Sequence, residues 1–372
     1  MSLPPGPSHR PLRAAAAAAA LLLAGAASPP APPPITHVFV IVLENQGYET
    51  TCGPSTAAPY LADSMAAAGA LLRQYYGIGH NSLDNYVAMI AGIAPDPQTQ
   101  GDCRVYEEFR ESGTSADGQP VGSGCIYPAH VLTVANQLAQ RHLTWKAYME
   151  DMGNDPAREP ARCGHPPVGA DDRTGRAQRG DQYATKHDPF VYFHAIIDAP
   201  SCRANVVPLT ALEADLRTAS RTPSYAFIVP NLCHDGHDWQ CVGGGPSGLA
   251  AVDRFLAEWV PRITHSPAYA RGGLLIVTFD EALPSDASAC CGEPSGPNTD
   301  RPGVSGPGGG RVGAVLLSPF IKPGTVSDVP YNHYAMLRSV EDLFGLSHLG
   351  YAGQPGLAAF GADVFGAAAG GR

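Results

Sequence analysis

The sequence predicts an α/β fold, with a mostly parallel central sheet flanked by helices. Three observations carry this. Nearly unbroken apolar runs recur at 37–43, 144–149, 224–230 and 273–279, as in strands buried on both faces. Stretches with helical spacing of apolar residues separate the runs, which is the βαβ alternation of a parallel sheet. Each run also stops on polar residues: Glu44-Asn45, Glu150-Asp151, the Asn231 to Asp238 stretch, and Asp280-Glu281. Sheets of this type bind ligands at the carboxyl ends of their strands.

In chain order, Arg10 and Arg13 precede an apolar Ala/Leu stretch, and small residues follow at Ala26, Ala27 and Ser28. Residues 1–28 are therefore expected to be a signal peptide cleaved near Ala27-Ser28, with a secreted or extracytoplasmic product. A Pro-rich linker, 29–35, follows. Residues 36–352 are expected to form the main folded domain and 353–372 a C-terminal tail. Cleavage would take the formal net charge from −10 to −12. Such an acidic chain is a poor partner for nucleic acid.

After the first strand, 60–70 reads as a helix, and 72–78 leads into a helix whose first turn is His80-Asn-Ser-Leu-Asp-Asn85. Ser82 lies near that helix start, where free N–H groups and the dipole favour an anion. Further helices are expected at 129–141, 210–219, 248–263 and 334–344, with His333 opening the last. A further strand is expected at 311–318. Loops are expected at 95–128, at 153–182 as a surface lid, and at 284–310. Gly 42 and Pro 36 fit such a loop-rich chain.

Nine cysteines suit an oxidising compartment. Close spacing suggests the pairs Cys103–Cys125, Cys163–Cys202 and Cys233–Cys241. Adjacent Cys290 and Cys291 direct at least one thiol elsewhere, with Cys52 the candidate. The absence of Cys-x-x-Cys argues against a zinc cluster.

The candidate chemistry lies at the strand ends. Asp280 and Glu281 together, directly after a buried strand, need a cation or donors to offset their repulsion. Glu44 and Asn45 add a carboxylate and an amide oxygen. Such hard donors suit magnesium, calcium or manganese, and added histidine suits zinc or iron. His80, His187 and His234 are candidates for proton transfer. Asn85, Lys186, Asp235, His237 and His333 are candidates for holding phosphoryl oxygens. Together they point to Ser82 attacking phosphorus, with a divalent metal on Glu44, Asn45, Ser82, Asp280 and Glu281.

The segments Glu44-Asn45, His80-Asn-Ser-Leu-Asp-Asn-Tyr86, Lys186-His-Asp-Pro-Phe190, His234-Asp-Gly236, Thr278-Phe-Asp-Glu281 and His333-Tyr-Ala-Met-Leu337 resemble the phosphoesterase family of secreted acid phosphatases and bacterial phospholipases C. That family lies in the alkaline phosphatase superfamily. The resemblance implies an alkaline-phosphatase-like three-layer sandwich. It implies a metal-dependent acid phosphatase acting on phosphate monoesters, phosphatidylinositol 3-phosphate among them, through a phosphoserine on Ser82. The alternative is a phospholipase C-type phosphodiesterase. It further implies a monomer whose substrate is a phosphorylated small molecule or phosphoinositide, with transient contact to a membrane surface. The family usually has prolines on both sides of its serine, where this chain has Asn81 and Asp84. A sulfatase is rejected because Cys52-Gly-Pro-Ser-Thr56 lacks the required arginine.

Overall fold

The computed structural model describes residues 1–4, 6 and 33–366. The chain divides into two units, Met1–Ala31 and Pro32–Arg372. Most of the expected signal peptide and linker lies outside the described residues. Among the described residues, no helix is long and apolar enough to cross a membrane.

The second unit is built on an eight-stranded sheet. In chain order the strands are β1 (His37–Leu43), β2 (Ala70–Leu72), β3 (Tyr75–Tyr76), β4 (Arg110–Thr114), β5 (Pro120–Ser123), β6 (Trp145–Met149), β7 (Val206–Pro208), β8 (Tyr225–Val229), β9 (Gly273–Phe279), β10 (Ala314–Leu317), β11 (Thr325–Ser327) and β12 (Tyr331–Asn332). The large sheet runs β11-β2-β10-β9-β1-β8-β6-β7. β3 pairs with β12, and β4 with β5, in two small ribbons.

All four long apolar runs became neighbouring central strands. β1 pairs in parallel with β8 on one side and β9 on the other, and β6 continues the parallel set. Their side chains are buried almost throughout because helices or loops cover both faces. Within the large sheet β10 alone runs antiparallel, against both β9 and β2. The carboxyl ends of β9, β1, β8 and β6 therefore share one edge. Backbone bonds across it, Asp280 N–H to Leu43 O and Glu44 N–H to Asp235 O, each 2.8 Å, set the heights of the residues that follow the strands.

Several helices are shorter than expected. The one placed at 129–141 is Val134–Gln140, because Thr133 and Asn136 form a capping box that starts it there. The one placed at 210–219 stops at Asp215. At 60–70 the chain makes a wide π turn, Tyr60–Met65, then a short α turn, Ala66–Ala68. Asp253 accepts the N–H groups of Tyr60 and Leu61 there. The strand placed at 311–318 narrows to β10. The 153–182 segment is irregular, as expected, and is tied down by a buried Arg158–Asp181 ion pair. Residues 353–366, expected to be part of a tail, pack on the same body, with Val364 fully buried.

Disulfides join Cys103 to Cys125, Cys163 to Cys202 and Cys233 to Cys241, as spacing suggested. The remaining pair corrects an expectation. Cys290 bonds to its neighbour Cys291, and Cys52 is left as the free thiol.

Candidate active site

The helix Ser82–Ala91 is buried along its whole length, and the His333–Phe344 helix packs on it. Its small and apolar body, Val87 to Ala91, permits that burial. Gly92 ends it in the left-handed conformation (φ 66°), where a Cβ would lie 2.3 Å from the Leu349 carbonyl oxygen. Ser82 is its first residue. Asn81 occupies the cap position but makes no side-chain cap bond. Asp102 supplies one partner instead, accepting the Leu83 N–H at 3.3 Å.

Ser82 Oγ donates to Glu44 Oε2 at 2.8 Å. Glu44 Oε1 accepts from the Tyr86 hydroxyl at 2.6 Å and lies 3.3 Å from His187 Nε2. Tyr86 also stacks on His187, with ring centroids 5.4 Å apart and planes 9° from parallel. His187 Nδ1 is 3.6 Å from Asp235 Oδ2. Ser82, Glu44, His187 and Asp235 thus lie beside one another, all buried, with a hydrogen bond at the Ser82–Glu44 step and close approaches at the other two. Burial raises the Glu44 pKa against the opposing pull of Lys186. Burial drives His187 well below its ordinary value, so its imidazole is neutral.

On the other side of Glu44, Asp280 Oδ1 accepts from the backbone N–H of Asn45 (3.0 Å) and of Glu281 (2.7 Å). Asn45, in the left-handed region at φ 50°, donates its side-chain amide to Glu281 Oε1 at 2.8 Å. Burial, and then the nearness of Glu44, pushes Asp280 and Asp235 well above the carboxylate range. Glu281 moves the same way, from burial and then the charge of Asp84.

The chemistry of this set suits a hard divalent cation. Glu44, Asp280 and Glu281 are buried acids, and Asp280 Oδ2 and Asn45 Oδ1 have no hydrogen-bond partner. An unpaired buried charge is costly unless a cation or a proton compensates it. Among the described residues, however, no three His, Cys, Asp or Glu side chains are arranged to hold a metal ion as they stand. Internal bonds such as Asn45 to Glu281 occupy the donors instead.

Other expected site residues are spent differently. Asn85 Oδ1 accepts from Ile78 and Gly79 N–H, and its amide donates to the Gly79 and Asn81 carbonyls. It braces the turn before Ser82 rather than presenting a donor to a ligand. Lys186 is ion-paired to Asp102 at 2.9 Å. Burial opposes its charge, but Asp102 and Glu44 outweigh that and raise its pKa. His333 is fully buried, with Nδ1 on the Tyr75 hydroxyl (3.1 Å) and Nε2 on the Asp280 backbone oxygen. It supports the strand end, and burial lowers its pKa to about 4. His234 turns to Glu150 at 2.9 Å, which raises its pKa, and so leaves the Glu44 cluster. His80 Nε2 contacts the Asp286 carbonyl, with Nδ1 3.7 Å from Glu281. His237 pairs with Asp238 at 3.0 Å, is partly exposed, and has its pKa raised by that bond.

Sequence reasoning missed Tyr86, Asp102, Glu150 and Tyr75. Tyr86 was within reach, since position i+4 from Ser82 puts it on the same helix face. A separate cavity of about 260 Å³ is lined by Ile93, Pro120, Val131 and Leu349 at the far end of the Ser82 helix, remote from this chemistry.

The Phosphoesterase family model matches residues 55–347. The chain is 26% identical over 313 residues to a phosphate-repressible acid phosphatase of Penicillium chrysogenum, covering 83% of this chain and 59% of that protein. It is 25% identical over 316 residues to a phosphatidylinositol-3-phosphatase of Mycobacterium tuberculosis, covering 85% and 79%. An acid phosphatase of Aspergillus fumigatus matches at 24%, covering 84% and 55%. The chain thus spans a little over half the length of these fungal relatives. Among solved structures, a protein in the alkaline phosphatase superfamily from Vibrio parahaemolyticus aligns at TM-score 0.49 and 13% identity, covering 84% of this chain and 67% of that one. With the family match spanning most of its length, this chain belongs to the Phosphoesterase family.

Proposed function

We propose that the chain is a secreted phosphomonoesterase that uses Ser82 as its nucleophile. One observation carries this reading: the hydroxyl at the buried start of a helix donates to a buried carboxylate, Ser82 to Glu44, at 2.8 Å. A serine so placed faces the end of the helix that favours phosphoryl oxygens. The relatives' names support a phosphatase.

In the first step Ser82 Oγ bonds to phosphorus, and the bond to the leaving alcohol breaks. The hydroxyl proton passes to Glu44 Oε2, which it already faces at 2.8 Å. Tyr86 holds the other oxygen of Glu44 in place. Lys186, kept charged by Asp102, offsets the phosphoryl charge. His237, whose pKa is raised by its bond to Asp238, is the donor for the leaving alkoxide. Water then hydrolyses the phosphoserine. Glu44, Asn45, Ser82, Asp280 and Glu281 would hold a divalent cation, magnesium, calcium or manganese by donor type, which would lower the Ser82 pKa and neutralise the acids. Four disulfides fit an exported protein, with 1–28 as the signal peptide and 29–35 as the linker.

The test is acid quenching during turnover of a slow phosphate monoester, with mass analysis of the peptide carrying Ser82. Phosphate on Ser82 is expected. Near wild-type hydrolysis by Ser82→Ala would overturn the mechanism.

A further inference from the structure

We propose that Trp239 is a specificity-determining residue, forming with Leu283 an apolar rim that contacts the alkyl leaving group of soluble phosphate monoesters. This rests on the phosphatase reading above. Trp239 is 80% exposed and Leu283 48%. Their loops leave β8 and β9, the strands on either side of β1. In the strand order, Glu44, directly after β1, thus lies between two strands whose following loops each carry an exposed apolar residue. Trp239 follows Asp235 and His237; Leu283 follows Asp280 and Glu281.

The Trp239 loop is held against the site. Its base is bonded by Glu44 N–H to Asp235 O at 2.8 Å and by the Gln46 side chain to Gly236 O at 3.0 Å. Gly236 takes φ 107°, and a Cβ there would meet Val252 at 3.0 Å and the Glu44 backbone oxygen at 3.2 Å. The Cys233–Cys241 bond closes the loop with a sequence separation of 8. Trp239 is thus presented on a short clamp, with little freedom left to lose when a ligand covers it. Val242, just beyond Cys241, is 40% exposed.

A single ester molecule fits this rim better than a lipid surface does. No Lys or Arg occurs between Asn231 and Ala250, and the chain carries a net charge of −10. Anionic membranes would gain no electrostatic attraction there. One indole and two aliphatic side chains can cover a short alkyl chain while its phosphate lies inside.

The experiment measures kcat/KM for straight-chain alkyl phosphates, ethyl to hexyl, below their micelle concentrations. Wild type is expected to rise about two-fold per methylene, as for partial burial of each group. Trp239→Ala should flatten the series to under about two-fold in total, Trp239→Phe should restore most of the slope, and the surface control Val326→Ala should keep it. An unchanged slope in Trp239→Ala overturns the inference. So does a Trp239 effect seen only with vesicle-borne substrate. Wild type hydrolysing no ester of the series would instead sink the phosphatase reading, and the rim with it.

Discussion

Ser82 Oγ donates to Glu44 Oε2 at 2.8 Å, joining the start of a buried helix to the end of the central strand. In the proposed mechanism this contact couples the nucleophile to its proton acceptor. Ser82→Ala is expected to lower kcat/KM on a phosphate monoester by at least about 10³-fold, and Glu44→Gln by about 10²- to 10³-fold. Unchanged circular dichroism should accompany both losses.

Gly79 and Asp84 compete for one volume. A Cβ on Gly79 would lie 2.4 to 2.6 Å from the Asp84 carboxyl atoms. Gly79→Ala should cost about 2 kcal/mol by urea unfolding. Adding Asp84→Ala should recover part of that cost, because the obstacle is a side chain rather than backbone.

Lys186 and Asp102 form a largely buried pair. A double-mutant cycle with Lys186→Met and Asp102→Asn should show about 1 to 3 kcal/mol of coupling in unfolding free energy. Asp102→Asn alone should be the worse single change, since it leaves a buried ammonium and weakens the acceptor for Leu83 N–H.

Glu341 is fully buried, with Oε1 accepting from Leu349 N–H and Oε2 unpaired. Burial pushes its pKa up to about 8. The folded state then binds more protons than the unfolded state between the ordinary carboxylate value and pH 8. Stability from this group is full below the unfolded value and falls as pH rises through 8. Glu341→Gln should remove about 3 kcal/mol of that decline between pH 5 and 8, read by urea unfolding at each pH.

The disulfide Cys233–Cys241 closes the loop that carries Asp235 and His237. Replacing both cysteines by serine should cost about 2 kcal/mol in stability. It should also lower kcat, because the loop positions His237, the proposed donor to the leaving alkoxide.

The sheet centre was legible because β1, β6, β8 and β9 are apolar at almost every position. β2, β7 and β11 were not: three residues carry no period, and only their partners define them. The location of the acids and Ser82 followed from strand ends and a helix start. The tasks of Asn85 and His333 did not. Asn85 is spent on backbone groups and His333 on the Tyr75 hydroxyl and the Asp280 carbonyl, and no spacing in the sequence encodes those bonds. His234 and His237 sit three residues apart yet face different carboxylates, Glu150 and Asp238, a division made by the turn at Gly236.

The bond from Asn45 N–H to the Asp280 side chain spans 235 positions of the chain. The groups around Glu44 therefore share no local segment and meet only once β1 has been flanked by β9. Topologies rich in distant pairings fold slowly. Recovery of catalysis after dilution from denaturant, with disulfides intact, should trail the return of helical signal. Hydrolysis then becomes a clock for the last strand to arrive.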